Sequence, residues 1–227
     1  GLGDVYKRQA GGIFGGSLYF FTENTALGIT QASNVSFIIC TAPLLTTILS
    51  LLFYKSEKAS KGLIYGSLLA LMGVGLIVFN GSFVLKISPI GDLLTLLAAL
   101  SWAFYSLIIK KMAGRYPTIF ITRKIFFYGV LTILPAFLLH PLHPDTVVLL
   151  QPAVLFNLLF LAVLASLICY VLWNVVLKQL GTVRASNYIY LNPLVTMIAS
   201  FLILDEKITL VALGLSLIHI SEPTRRR

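Results

Sequence analysis

Apolar residues fall in blocks of about 20, close to the length an α-helix needs to cross a hydrocarbon core of roughly 30 Å. The blocks predict spans near 10–28, 33–53, 62–80, 92–109, 120–139, 152–176 and 185–204, with an eighth beginning near 208. Between them stand "YKSEKASK", "KKMAGRYPT", "HPLHPD", "KQLGTVR" and "LDEK". These are short polar connectors, not domain linkers. The pattern predicts an all-α fold, a polytopic membrane helix bundle.

Composition agrees. The 227 residues are 58% hydrophobic and 11% charged, where soluble domains carry roughly 25% charge. Cys40 and Cys169 each sit in an apolar block with no metal or redox spacing, and are expected to be small buried hydrophobes. The net charge of +9 changes once the ends are considered. Asp4 to Gln9, DVYKRQ, can be encoded GAT GTG TAT AAG AGA CAG, and the reverse complement of that string translates as LSLIHI, which is Leu215 to Ile220. Residues 1–9 and 215–227 are therefore expected to be non-native, adapter-like ends, with residues 1–9 and the tail after Ser221 standing off the bundle. Without them 12 basic and 6 acidic residues remain. With alternate loops assigned to opposite sides, ten cations share one side: Lys55, Lys58, Lys61, Lys110, Lys111, Arg115, Arg123, Lys124, Lys178 and Arg184. Only Lys86 and Lys207 fall on the other. The bias orients the first set toward the cytoplasm of a multi-pass inner-membrane protein.

An internal repeat carries more information. Residues 24–54 align without a gap on 174–204, and ten of the 31 positions agree, among them Asn24/Asn174, Ser36/Ser186, Pro43/Pro193, Thr46/Thr196 and Ser50/Ser200. The period of 150 residues holds five spans, an odd number, so the two copies cross the membrane in opposite directions. An inverted 5+5 helix repeat follows, with ten helices in the parent and about eight here. Residues 10–85 hold three helices of the first copy and 86–214 the second. Roughly 60 residues, enough for two spans, are expected upstream.

The order of "NTALGITQAS", "TAPLLTTILSLLFYKSEK", "GSLLALMGVGLIV", "GDLLTLLAALSWAFYSLIIKKM" and "NPLVTMIASFLILDEK" resembles the EamA-like family of the drug/metabolite transporter superfamily. The resemblance covers nearly all of residues 10–214. It implies a ten-helix inner-membrane carrier with both termini cytoplasmic and a central cavity shared by the repeats. A first pair of helices would stand outside this sequence.

Glu23 is the only charge in its span, roughly 7 to 8 Å below the outer helix end. Its short stem reaches water poorly, so it is expected to face the bundle interior or a wet cavity. An acid with nearby aromatics suits an ammonium group, by charge and by cation–π attraction. Asn24 and Asn174 are expected to support Glu23, and Trp173 is its partner in the repeat. Trp102, near mid-span, and Tyr105, one turn on, are candidate cavity walls, as is Tyr190. Asn34, Thr41 and Asn192, with Asn157 and Asn187, are amides and hydroxyls in apolar spans, ligands or interhelical glue. Pro43 and Pro193 are candidate hinges for alternating access or plain packing kinks, with Thr46, Thr196 and Asn192 available to the freed carbonyls. The four-residue glycine spacing of Gly12 with Gly16 and Gly62 with Gly66 serves close helix packing or a dimer contact. Glu57 and Glu206 read as solvated helix ends. His140, His143 and Asp145 are a weak metal set, and neither a metal nor a cofactor is expected.

Three function classes compete: a secondary transporter of small organic solutes, an intramembrane enzyme and a channel. The enzyme lacks HExxH, GxSxG and a paired carboxylate site, and a channel calls for a ring or filter loop rather than two inverted halves. A phosphate-bearing substrate would call for Lys or Arg inside the spans. Amino acids, amines or uncharged metabolites fit better, with export the tendency of the family resembled. Protons are a candidate coupling ion, the bilayer is a partner, nucleic acid is not, and the oligomeric state stays open.

Overall fold

The computed structural model describes residues 2–30, 32–54, 65, 68, 72, 88–139, 145–192 and 195. Among them every element is a helix. The chain opens with α1 (Leu2–Gly12) and α2 (Leu18–Ile29), joined by a π-helical stretch, Ile13–Ser17. Then come α3 (Ala32–Ile39), α4 (Ala42–Phe53), α5 (Pro89–Ala113), α6 (Thr118–Leu139) and the single turn α7 (Thr146–Leu149). A second π-helical stretch, Phe160–Ile168, joins α8 (Pro152–Leu159) to α9 (Cys169–Leu180), and α10 (Thr182–Asn187) runs into a 3-10 turn, Tyr188–Leu191. Among the described residues three stretches are long and apolar enough to cross a membrane: Pro89–Ala113, Thr118–Ala136 and Pro152–Leu180.

α5 is the centre of the bundle. It packs against α2, α3, α4 and α9, and its small residues Ala98, Ala99, Ser101 and Ala103 are buried where these neighbours approach. α1 lies along α6. Glycine makes both crossings possible. A Cβ at Gly15 would collide with the Tyr105 ring, and one at Gly16 would stand 3.0 Å from Gly129 Cα. The Gly12–Gly16 pair thus serves helix packing within the chain. The π stretch between α1 and α2 loosens the usual i→i−4 ladder, and hydroxyls from elsewhere take up its carbonyls. Ser101 Oγ donates to Phe14 O at 2.7 Å, and Tyr170 OH donates to Gly15 O at 2.5 Å.

Several expectations are corrected. The first helix starts at Leu2, not near residue 10, and residues 2–9 do not stand off. Asp4 accepts from Tyr116 OH at 2.9 Å and pairs with Arg115 at 3.5 Å, tying this segment to the start of α6. The hydrogen bond from Lys7, followed by that from Tyr116, holds the Asp4 carboxyl below its ordinary range. The second span is not one helix, because the chain turns at Cys40 and Thr41 and restarts with Pro43 in the first turn of α4. Proline is at ease there, since the first-turn N–H groups have no intrahelical partner. Thr46 does not serve a freed carbonyl at the break; it donates back along its own helix to Ala42 O at 2.7 Å. The helices at 92–109 and 152–176 are longer than expected, covering 89–113 and 152–180. Gly181, at φ +80°, lets α9 turn sharply into α10. Cys40 is buried, but Cys169 is exposed on the long apolar helix, most of whose 152–168 half is exposed. Asn157 is exposed as well. Asp145 caps α7, accepting from Val147 N at 2.9 Å. Pro193, Thr196, His140, His143, Glu57, Glu206, Gly62, Gly66 and the segment after 195 lie outside the described residues.

Candidate functional site

An open cavity of about 320 Å³ lies between α2, α3 and the stretch after the 3-10 turn. Tyr19, Glu23 and Leu27 line it from α2, Val35, Ser36 and Ile39 from α3, and Asn192 and Val195 from the far side. The α2 residues recur every four positions, the helical spacing that places them in one row. Within that row Tyr19 OH donates to Glu23 Oε1 at 2.9 Å. The acid expected to face a cavity does so.

Behind Tyr19 stands an aromatic wall. The Trp102 ring lies 4.9 Å from Tyr19, 5.2 Å from Tyr105, 5.6 Å from Trp173 and 5.6 Å from Tyr170, centroid to centroid. These spacings are those of favourable tilted and edge-on aromatic contacts. Trp102 Nε1 and Trp173 Nε1 are both buried without a hydrogen-bond partner among the described residues. Trp173, the repeat partner of Glu23, is thus in ring contact with Trp102, and Trp102 with the cavity's Tyr19.

The remaining candidates divide. Asn174 and Tyr105 are buried in a closed network beside the aromatic wall. Tyr105 OH donates to Asn174 Oδ1 at 2.7 Å, and Asn174 Nδ2 donates to Thr122 Oγ1 at 2.8 Å, which in turn donates to Thr118 O at 3.0 Å. Asn24 is exposed on α2, so the expected support of Glu23 by Asn24 gives way to support by Tyr19. Helical geometry explains this: the next residue lies about 100° around the helix, whereas the residue four earlier lies on the same face. Thr41 donates to Ile38 O at 2.6 Å at the α3–α4 break and does not line the cavity. Tyr190 is buried in the 3-10 turn. Asn192 lines the cavity, and Asn34 lies in α3 with its side chain outside the described set. On α10, Thr182 Oγ1, Ser186 Oγ and Asn187 Oδ1 are buried without partners among the described residues. Tyr19, Ser36, Thr122 and Tyr170 were not singled out in the sequence. Tyr19, Thr122 and Tyr170 could have been sought through hydroxyls within one turn of a buried polar residue, or one helix away.

The model of the EamA-like transporter family matches residues 10–79 and 89–221. The chain belongs to this family. It is 30% identical over 196 residues to an uncharacterized transporter of Archaeoglobus fulgidus, covering 85% of this chain and 66% of that one. It is 24% identical to a probable amino-acid metabolite efflux pump of Escherichia coli, over 81% of this chain and 64% of the relative. The chain therefore spans about two thirds of the length of such relatives. A solved crystal structure covering 95% of this chain and 74% of its own length superposes with a TM-score of 0.77 at 17% identity, a likeness of fold alone. Family and helices together make this a multi-pass membrane protein, and its relatives are named as transporters or efflux pumps, not enzymes.

Proposed function

We propose that the chain forms the substrate cavity of a secondary transporter exporting small organic solutes, with amino acids, amines or related metabolites as the substrate class. The observation that carries this reading is Glu23, the lone charge of its span, opening on the cavity with Tyr19 bonded to it and the Trp102 ring behind Tyr19. A carboxylate beside aromatic faces attracts an ammonium group by charge and by the ring quadrupole. The family, and the relatives named as amino-acid metabolite efflux pumps, support the same class. Protons are the proposed coupling ion, competing with substrate at Glu23.

The transport cycle proposed is alternating access by two inverted repeats, with the helix break before Pro43, and Pro193 as its match in the sequence repeat, as hinges. The two stretches matched by one family model, 10–79 and 89–221, support the two-repeat organisation. The cationic α5–α6 and α9–α10 turns are assigned to the cytoplasmic side of the inner membrane, and residues 1–9 and 215–227 to non-native ends. In the full-length carrier, Glu23→Gln is expected to insert normally and lose the pH dependence of transport between about pH 5 and pH 8. An unchanged pH profile would reduce Glu23 to structural glue and overturn the reading.

A further inference from the structure

α6 enters the membrane carrying two cations. Arg123 is the sixth residue of the helix, roughly 7 to 8 Å in from its start, and Lys124 follows it. Arg123 lies on the exposed stripe of this helix, between Ile119, 72% exposed, and Phe127, 56% exposed. In a bundle whose exposed apolar faces meet lipid, that stripe points at acyl chains. A cation so placed is costly unless it reaches the interface or meets an anion. No acid pairs with Arg123 or Lys124 among the described residues. Each lies instead over a ring: Arg123 Cζ is 5.5 Å from the Phe120 centroid, and Lys124 Nζ is 5.7 Å from that of Phe127. One turn before α6, Arg115 stays 65% exposed although it pairs with Asp4 at 3.5 Å.

We propose that Arg115, Arg123 and Lys124, framed by Phe120 and Phe127, bind the phosphate of an anionic glycerophospholipid headgroup at the α5–α6 turn. Three cations around a turn at the membrane border complement a phosphodiester, and guanidinium suits its oxygens in a bidentate fashion. The exposed Ile119 and Phe127 side chains give the lipid's glycerol and upper acyl segments an apolar surface beside the charges. The headgroup thus replaces the missing acid partner of the two intramembrane cations.

The test is native mass spectrometry of the full chain released from micelles containing equal amounts of phosphatidylglycerol and phosphatidylcholine. Retention of phosphatidylglycerol about 100-fold above phosphatidylcholine is expected, and each cation removed should cost about fivefold. Arg115→Gln/Arg123→Gln/Lys124→Gln should therefore lose about 100-fold of that retention. Lys178→Gln/Arg184→Gln, at the same end of the bundle but on another turn, should leave it unchanged. If circular dichroism shows that the triple variant loses helix, Arg123→Gln alone decides, with about a fivefold loss expected. Equal retention of the two lipids, an equal loss in the α9–α10 control, or an unaltered Arg123→Gln variant overturns the proposal. So does displacement of the lipid by equimolar glycerol phosphate, which would mark a soluble phosphate ligand.

Discussion

Two polar sites lie side by side in this bundle, and they differ in how completely their groups are paired. Around Asn174, every partner is protein: Tyr105 donates to its carbonyl oxygen, its amide donates to Thr122, and Thr122 donates to a backbone carbonyl. Asn174 is 1% exposed. Around Glu23, one carboxylate oxygen takes a bond from Tyr19 and the carboxylate borders an open cavity. The Asn174 network ties helices α5, α6 and α9 together, whereas the Glu23 carboxylate has Tyr19 as its one hydrogen-bond partner among the described residues, and the proposed function gives its remaining capacity to the solute.

The largest expected effect breaks the closed site. Asn174→Leu removes two interhelical hydrogen bonds and leaves Tyr105 OH and Thr122 Oγ1 facing an apolar group, so stability should fall by about 2 to 4 kcal/mol. Chemical denaturation in mild detergent measures it; a loss under about 0.5 kcal/mol would show that the network contributes nothing net. Tyr105→Phe is gentler, at about 1 kcal/mol, because the ring and its contacts stay. A double-mutant cycle with Thr122→Val should show coupling through Asn174, and strict additivity would contradict a shared network.

Glu23 stood out in the sequence as the only charge of its span, whereas Asn24 and Asn174 read alike, as amides expected to support it. Helix existence was legible because twenty-residue apolar blocks leave few alternatives to a spanning helix. Which polar residue faces which neighbour was not, because it depends on the rotation of each helix about its axis, and that is set by packing such as Gly15 under Tyr105. The break before Pro43 was half legible: proline marks the place, but whether it kinks a helix or starts a new one depends on where the residues before it turn. Asn24 puts this lesson to a test of its own. Being exposed and beside the site only in sequence, Asn24→Ala should change stability by less than about 0.5 kcal/mol and leave transport unaltered. A transport defect there would return Asn24 to the site.

The smallest expected change in stability, and the sharpest separation of the two sites, comes from Tyr19→Phe. The substitution keeps the ring that packs 4.9 Å from Trp102 and deletes only the hydroxyl that holds Glu23. Because the carboxylate borders an open cavity, its freed oxygen has room for a substitute partner, so denaturation should shift by less than about 0.5 kcal/mol. If Glu23 binds the cationic end of the solute, the loosened carboxylate presents itself in more than one orientation and the ground-state complex weakens. One hydrogen bond to a charged group, worth about 1.5 kcal/mol at the lower end, corresponds to roughly a tenfold rise in KM with kcat little changed. The same hydroxyl deletion at Tyr105 is expected to do the reverse, costing stability and leaving KM alone. Two tyrosines that both lose a hydroxyl and yet fail in opposite assays would separate the open site from the closed one by measurement; equal effects in both assays would dissolve the distinction.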